Sequence, residues 1–419
     1  MKMNLLNICK SAQKAAYEIS TLSNTKRNKI LKDISIAIKK NSEQILKANN
    51  LDQNNNKSLS KELKERLILN ESKLDGIRSQ ILDICKLPDP LLTKESFIRK
   101  DGLKVSKKII PVGVIASIYE SRPNVTVDIS CLAIKSGNVA ILRGGKEAIN
   151  TNLIFAKLIK NCLYMNGASK NAIQLITDTD RKYIDEMLAM DEFIDLVIPR
   201  GGKKLVKMVS EKAKMRAIFG GIGVCHLYID EKVDESIIIP IIENSKVQAP
   251  SVCNSLDTIL IHEKHTRSIF PKIIKHLISI GVETRLDNNL FLVSKRIINS
   301  KLIKRATKED WGQEFLGLTI SIKSVKSIEK AIDHISINSF NHTDSILSKS
   351  KKSQNFFIDK VNSSAVMVNS STRFNDGGQL GLGAEIAIST TKLSPRGPLG
   401  LNEITSYKWV VVGEGHIRA

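Results

Sequence analysis

Cys253 lies in the stretch VQAPSVCNSL, between Pro250 and Asn254 and just ahead of an extended apolar run. A cysteine among proline and small polar residues suits an accessible loop better than a core. A thiolate there is a nucleophile for carbonyl carbons, provided it is ionised and has room for the substrate; the alternative is an idle loop cysteine. Cys9, Cys85, Cys131, Cys162 and Cys225 sit in apolar helical or strand surroundings and read as small core hydrophobes. The six cysteines form no CxxC pair and show no metal-ligand spacing, so neither a metal centre nor a disulfide framework is expected.

Glycine clusters are the second signal. GGIGVCH (220–226) has Gly220, Gly221 and Gly223 where backbone must approach a ligand closely or turn sharply; anion binding and a hinge both fit. PRGGKK (199–204) joins an apolar run to a helical one, so Gly201 and Gly202 would open a helix whose N–H groups suit a phosphate, unless the segment is a plain turn. ILRGGKE (141–147) is a similar turn carrying Arg143 and Lys146. No G-x-G-x-x-G follows the first strand. GLGAEIAIST (381–390) and SPRGPLG (394–400) are further loops of functional or simple turn character. His226 and His342 are proton donors or satisfied structural histidines.

These residues need a scaffold. Residues 1–90 read as helical, with Ile30, Leu31, Ile34 and Ile38 at helical spacing. NNLDQNNNKSLS (49–60) reads as a polar connector, and LPDP (87–90) ends the helical region. Asp101-Gly102 between extended runs predicts a hairpin. From 112 onward apolar strands alternate with helices: strands 112–119, 138–144, 172–176 and 195–201, then a second unit from Val224 with strands 225–230, 255–262 and 318–325. This alternation predicts doubly wound parallel sheets. The tail 404–413 is β-rich.

The chain has 419 residues, too many for one ordinary core. Nothing approaches the ~18 apolar residues of a membrane span, and the first residues do not read as a secretory signal. The net charge of +21 invites a nucleic-acid reading, but the basic residues are dispersed, mixed with acids, and accompanied by only 5 % aromatics. That pattern offers no base-stacking platform, so neither nucleic acid nor membrane is an expected partner.

In order along the chain, YESRPNVTVD (119–128), GNVAILRGGKE (137–147), IPRGG (198–202), GGIGVCHLYID (220–230), PSVCN (250–254), GLGAEIAIST (381–390) and RGPLGLNEITSYKW (396–409) resemble the signature stretches of the γ-glutamyl phosphate reductases, within the aldehyde dehydrogenase superfamily. ANNLDQ and ERLILNESKLDGI extend the resemblance to the helical region. It implies an aldehyde-dehydrogenase-like α/β fold of two doubly wound domains plus a small β oligomerisation arm. The expected division is a cofactor-binding domain (1–95 and 111–222), a catalytic domain (223–400) and the arm (96–110 and 401–419).

The same resemblance makes Cys253 the nucleophile of an NADPH-dependent reduction of γ-glutamyl 5-phosphate to glutamate 5-semialdehyde and phosphate, through a thioester, in proline biosynthesis. Asn124 is a candidate oxyanion donor, or a structural turn residue. Arg143, Lys146, Gly201, Gly202, Gly220, Gly221 and Glu314, in QEFLG, are expected at the cofactor. Arg122, Arg373 and Arg396 are candidates for the substrate's anionic groups. A cytoplasmic homo-oligomer is implied, with the glutamate 5-kinase that supplies the acyl phosphate as a separate chain and a possible contact. Hydrolytic relatives carry a glutamate before the glycine pair; here the stretch is Ile218-Phe219-Gly220-Gly221, with no base to activate water. Many NAD-using relatives have K-x-x-E where this chain has Arg143-Gly144-Gly145-Lys146, and Lys146 suits a 2′-phosphate. The rival readings are a hydrolytic aldehyde dehydrogenase and a basic nucleic-acid-binding protein on a decayed dehydrogenase fold.

Overall fold

The structure, a computed structural model, describes residues 4–92, 95–220, 222–383, 385–393 and 395–418. Contacts divide the chain into two compact units, Met1–Gly220 with Gly381–Ala387 and Leu399–Ala419, and Gly221–Leu380 with Ile388–Pro398.

The first unit opens with helices α1 (Leu5–Ser20), α2 (Asn24–Lys40), α3 (Ser42–Asn55), α4 (Lys61–Leu67) and α5 (Glu71–Lys86). Asn4, Ser23, Ser60 and Asn70 each accept from the N–H three residues on, capping α1, α2, α4 and α5. Helix α2 buries Ile30, Leu31, Ile34 and Ile38 along one face, as their spacing predicts. The polar connector expected at 49–60 is instead helical as far as Asn55. Tertiary hydrogen bonds override the weak helical propensity of its asparagines. Asn49 Nδ2 donates to the Leu67 carbonyl at 2.9 Å and its Oδ1 accepts from Leu69 N at 2.8 Å. Asp52 accepts from the N–H groups of Asn150 and Thr151.

There follow β1 (Glu95–Ile98), β2 (Lys104–Pro111), β3 (Val114–Tyr119), α6 (Asn124–Lys135), β4 (Val139–Gly144), α7 (Ile149–Met165), β5 (Ile173–Leu175), α8 (Lys182–Leu188), β6 (Leu196–Arg200), α9 (Lys203–Lys212) and β7 (Arg216–Ala217). Strands β3 to β7 form a parallel sheet in the order β5-β4-β3-β6-β7. Every residue of β3 and β4 is buried, because helices cover both faces; hence their continuous apolar runs. The chain winds outward from β3 through β4 and β5, then returns to add β6 and β7 on the other side. In sheets of this kind ligands bind beyond the carboxyl ends of the strands at such a reversal, here between β3 and β6.

The second unit holds β8 (Cys225–Ile229), α10 (Glu235–Val247), β9 (Leu256–His262), α11 (Phe270–Ser279), β10 (Glu283–Leu286), α12 (Asn288–Ser294), β11 (Ile303–Arg305), β12 (Thr319–Val325), α13 (Ile328–Asn338), β13 (Thr343–Leu347), α14 (Lys351–Lys360) and β14 (Ala365–Val368). Its parallel sheet runs β11-β10-β12-β9-β8-β13-β14, and β15 (Ile388–Ser389) pairs antiparallel with β16 (Gly397–Pro398). In the first unit, β17 (Thr405–Val412) pairs antiparallel with β2, from Thr405 opposite Pro111 to Val412 opposite Lys104. The Asp101-Gly102 hairpin is present, with Gly102 at φ +89°. Strands β1, β2 and β17 are the small antiparallel arm, so the expected α/β architecture with two parallel sheets is borne out. Among the described residues no helix is long and apolar enough to cross a membrane.

Candidate active site

In the second unit the six residues from Pro250 to Ser255 form a tight turn between α10 and β9, with Val252 N donating to the Ala249 carbonyl and Ser255 N to the Val252 carbonyl. Cys253 sits in it half-buried. The other cysteines are poor nucleophiles. Burial pushes the thiols of Cys9 and Cys162 up to about 11, raises Cys85, and drives Cys131 and Cys225 well above the ordinary range.

Backbone contacts hold the turn. Gly223 lies directly against it: a Cβ built there would stand 2.8 Å from the Cys253 Cα. Gly223 N donates to Glu314 Oε1 at 3.2 Å, so the glycine cluster joins the Cys253 turn to the expected cofactor-binding glutamate. Cys225 Sγ donates to the Cys253 carbonyl at 3.2 Å. The neighbouring Asn254 is fixed on three sides: its Nδ2 donates to the Asn375 carbonyl, its carbonyl accepts from Thr372 Oγ1, and its Oδ1 accepts from Arg373. Arg373 also donates to Gln248 Oε1. The structure thus brings Cys253, Glu314 and Arg373 into one cluster. Arg396 is held elsewhere in this unit, on Asn362.

Behind the turn Asp257 and Lys246 are buried, their charged atoms 3.6 Å apart. Burial pulls the Lys246 ammonium down and pushes the Asp257 carboxyl up, each partly offset by the other. His226 has no exposure, and its Nδ1 pairs with Asp344 at 3.0 Å. His342, equally buried, bonds Thr343 Oγ1 through Nδ1.

In the first unit the expected residues gather at the carboxyl edge of the sheet. Gly202 N, at the start of α9, donates to Glu120 Oε2 at 2.9 Å, and a Cβ at Gly201 would stand 2.5 Å from the same oxygen. Ser121, beyond β3, is buried at φ +37°, a conformation that non-glycine residues rarely hold. Arg122 follows, half-buried. Asn124 opens α6 and spends one N–H on Asp128 Oδ2 at 2.8 Å. Loss of water pushes Asp128 up to about 6, against the pull of Asn124, Arg200 and Arg122. Arg143 is buried and turned onto the carbonyls of Gly144 and Thr179, whereas Lys146 is exposed. Ile218 is buried, and Gly220, half-buried, ends the first segment of this unit; Gly221 lies outside the described residues.

Sequence reasoning missed Asp257, Lys246, Asn254 and Glu120. Asp257 had a signal, a lone acid at the head of an apolar strand. Ser121 had none, since serine does not announce a left-handed backbone.

Residues 2–311 match the aldehyde dehydrogenase family. The chain is 44 % identical over 412 residues to the gamma-glutamyl phosphate reductase of Dehalococcoides mccartyi, covering 97 % of this chain and 96 % of that one. It is 42 % identical over 422 residues to the enzyme of the same name from Roseiflexus castenholzii, covering 99 % and 100 %. The crystal structure of gamma-glutamyl phosphate reductase from Thermotoga maritima superposes over 100 % of both chains with a TM-score of 0.94 at 37 % identity.

Proposed function

We propose a mechanism from the premise that the chain belongs to the aldehyde dehydrogenase family and, within it, to the gamma-glutamyl phosphate reductases: the reduction of glutamyl phosphate in proline biosynthesis, run through a thioester on Cys253. One observation carries the reading. Cys253 is half-buried in a turn packed on Gly223, whose N–H donates to Glu314, while burial raises the thiols of the other five cysteines.

In this reading the Cys253 thiolate attacks the acyl carbon, and the oxyanion is met by the backbone N–H of Cys253. Asn124, with one N–H still unspent on Asp128, is the candidate side-chain donor. Collapse of the adduct breaks the acyl–phosphate bond and leaves the thioester. Hydride transfer to the thioester carbon and expulsion of the thiolate give glutamate 5-semialdehyde. Ile218 offers no base for water, so the thioester is spared hydrolysis. Arg122, Arg373 and Arg396 are the proposed holders of phosphate and α-carboxylate; Arg373 has the strongest claim, because its partner Asn254 adjoins Cys253.

The residues at the start of α9 fit a nicotinamide cofactor: Gly201 and Gly202 put no side chain there, and the Gly202 N–H, held in this structure by Glu120 Oε2, would suit a pyrophosphate once that carboxylate swings away. NADPH, when bound, supplies the hydride. In the first unit Lys146 is the proposed partner of its 2′-phosphate and Gly220 a further proposed cofactor contact, while Arg143 stabilises the strand end; Gly221, also expected at the cofactor, lies outside the described residues. In the second, Glu314 would take the nicotinamide ribose. A cytoplasmic site belongs to the same reading, and six free thiols suit a reducing compartment. So does a homo-oligomer built on the arm, where Phe97, Ile98, Trp409 and Val411 are exposed. Contact with glutamate 5-kinase would shorten the path of a labile acyl phosphate.

The test is the reverse reaction, phosphate-dependent reduction of NADP⁺ by glutamate 5-semialdehyde. Activity in the wild type and none in Cys253→Ser is expected. Equal activity in both, or turnover without phosphate, would end the proposal.

A further inference from the structure

We infer that Asp257, with Lys246 as its buried counter-ion, is a positioning residue for the Cys253 turn. The inference rests on the reading of Cys253 as nucleophile with Glu314 beside it.

Asp257 is the second residue of β9, a strand whose seven residues are all buried. Burying a carboxylate is costly unless it is paired and hydrogen-bonded, and an apolar pair of similar volume often packs at least as well as a buried ion pair. The reason to keep the charge therefore lies in what the carboxylate holds. Its Oδ1 accepts from Phe315 N at 3.1 Å, and its Oδ2 from Cys225 N at 3.5 Å. Lys246 stands 3.6 Å from Oδ1.

Both N–H groups belong to segments that touch the site. Phe315 follows Glu314, whose carboxylate receives Gly223 N. Cys225 lies two residues past Gly223, and its thiol reaches the Cys253 carbonyl. The links close a ring: Asp257 to Phe315, through Glu314 to Gly223, along the chain to Cys225, and back to Asp257, with Cys253 packed on Gly223. Leu316, next after Phe315, adopts φ +50°, a conformation that persists in a non-glycine residue only where its surroundings enforce it. Asp257 is the group that grips the chain immediately before it. One carboxylate thus sets where Glu314 stands relative to the sulfur.

The test pairs Asp257→Asn with Lys246→Met, so that neither charge is left alone. Asparagine keeps one carbonyl acceptor and loses the second. The expected double variant is folded by circular dichroism, is alkylated once at Cys253 by iodoacetamide, and has kcat lowered by roughly tenfold or more, the scale of a displaced catalytic group, with little change in KM for glutamate 5-semialdehyde. An unchanged kcat per alkylatable thiol would overturn the inference, as would a loss that merely tracks the unfolded fraction. If the double variant does not fold, Leu316→Gly frees the gripped loop and leaves the ion pair intact; kcat should fall at an undiminished melting temperature, and an unchanged kcat overturns the proposal. Failure of the underlying reading shows separately, as full activity in Cys253→Ser.

Discussion

Gly223 and Cys253 meet backbone to backbone, so closely that no side chain fits between them. Gly223→Ala must therefore displace the Cys253 turn, the Gly223 N–H bond to Glu314, or both. A shift near 1 Å at a reacting group can cost about 100-fold. The expected result is a fall in kcat of that order with a much smaller change in melting temperature. The reductase assay and a thermal melt on the same preparation check it.

Thiol chemistry should single out Cys253. Cys9, Cys131, Cys162 and Cys225 are buried and their thiols are pushed up, and the half-buried thiol of Cys85, on α5, is raised by burial too, so thiolate is scarce and access poor. Iodoacetamide at pH 8 should add rapidly to one site in the native chain and to none in Cys253→Ser, with the remaining sites opening only in denaturant. Mass spectrometry of the labelled peptides decides it. Cys225→Ser should keep the fast site and most of the activity.

What the sequence disclosed, and what it hid, follows from how local each signal is. The Cys253 turn was legible because proline and small polar residues surround it, and the strands of the first sheet because burial on both faces leaves unbroken apolar runs. Strand β13 was not legible. It reads TDSIL yet is wholly buried, since Asp344 is satisfied by His226 and Ser339 from elsewhere in the chain. Strand β10 and its neighbour at the sheet edge, β11, are short and carry charge, ETRL and IKR, so their alternation is too brief to register. Helix α3 looked like a connector because Asn49 and Asp52 find their partners only after tertiary folding. Pairing Lys246 with Asp257 needed the fold, which brings a helix end against a strand start.

Those inward-facing polar groups in α3 carry stability. Asp52 takes two backbone N–H groups and the Thr151 hydroxyl at the start of α7. Replacing it by alanine strands buried donors, each worth about 1–3 kcal/mol. Asp52→Ala should lower the unfolding free energy by roughly 2–4 kcal/mol, seen as a reduced urea midpoint with an unchanged slope. Asp52→Asn should recover part of it.

Cofactor choice should turn on Lys146, exposed beyond β4, rather than on Arg143, whose guanidinium is spent on two carbonyls. A charge-assisted hydrogen bond to a phosphate is worth about 1.5 kcal/mol or more, so Lys146→Ala should lower kcat/KM for NADPH roughly tenfold and leave that for NADH nearly alone. Comparing the two cofactors in wild type and variant checks it. An equal loss with both would move the 2′-phosphate contact elsewhere.

Asp128 gives the fold a pH dependence of unusual sign. Its folded-state pKa is raised by burial from 3.8 to about 6, so between those values the folded chain holds a proton that the unfolded chain has released. Stability from this group is fully present below about pH 4 and is lost as pH rises through about 6. Two pKa units correspond to about 3 kcal/mol, with the lowering by Asn124, Arg200 and Arg122 already included. Asp128→Asn keeps an acceptor for the Asn124 amide and cannot titrate. Urea midpoints measured from pH 4 to pH 7.5 should therefore drift downward in the wild type relative to the variant, and the variant should be the more stable of the two at pH 7.5. Parallel profiles would show that Asp128 ionises at an ordinary pH, and that the arginines offset its burial in full.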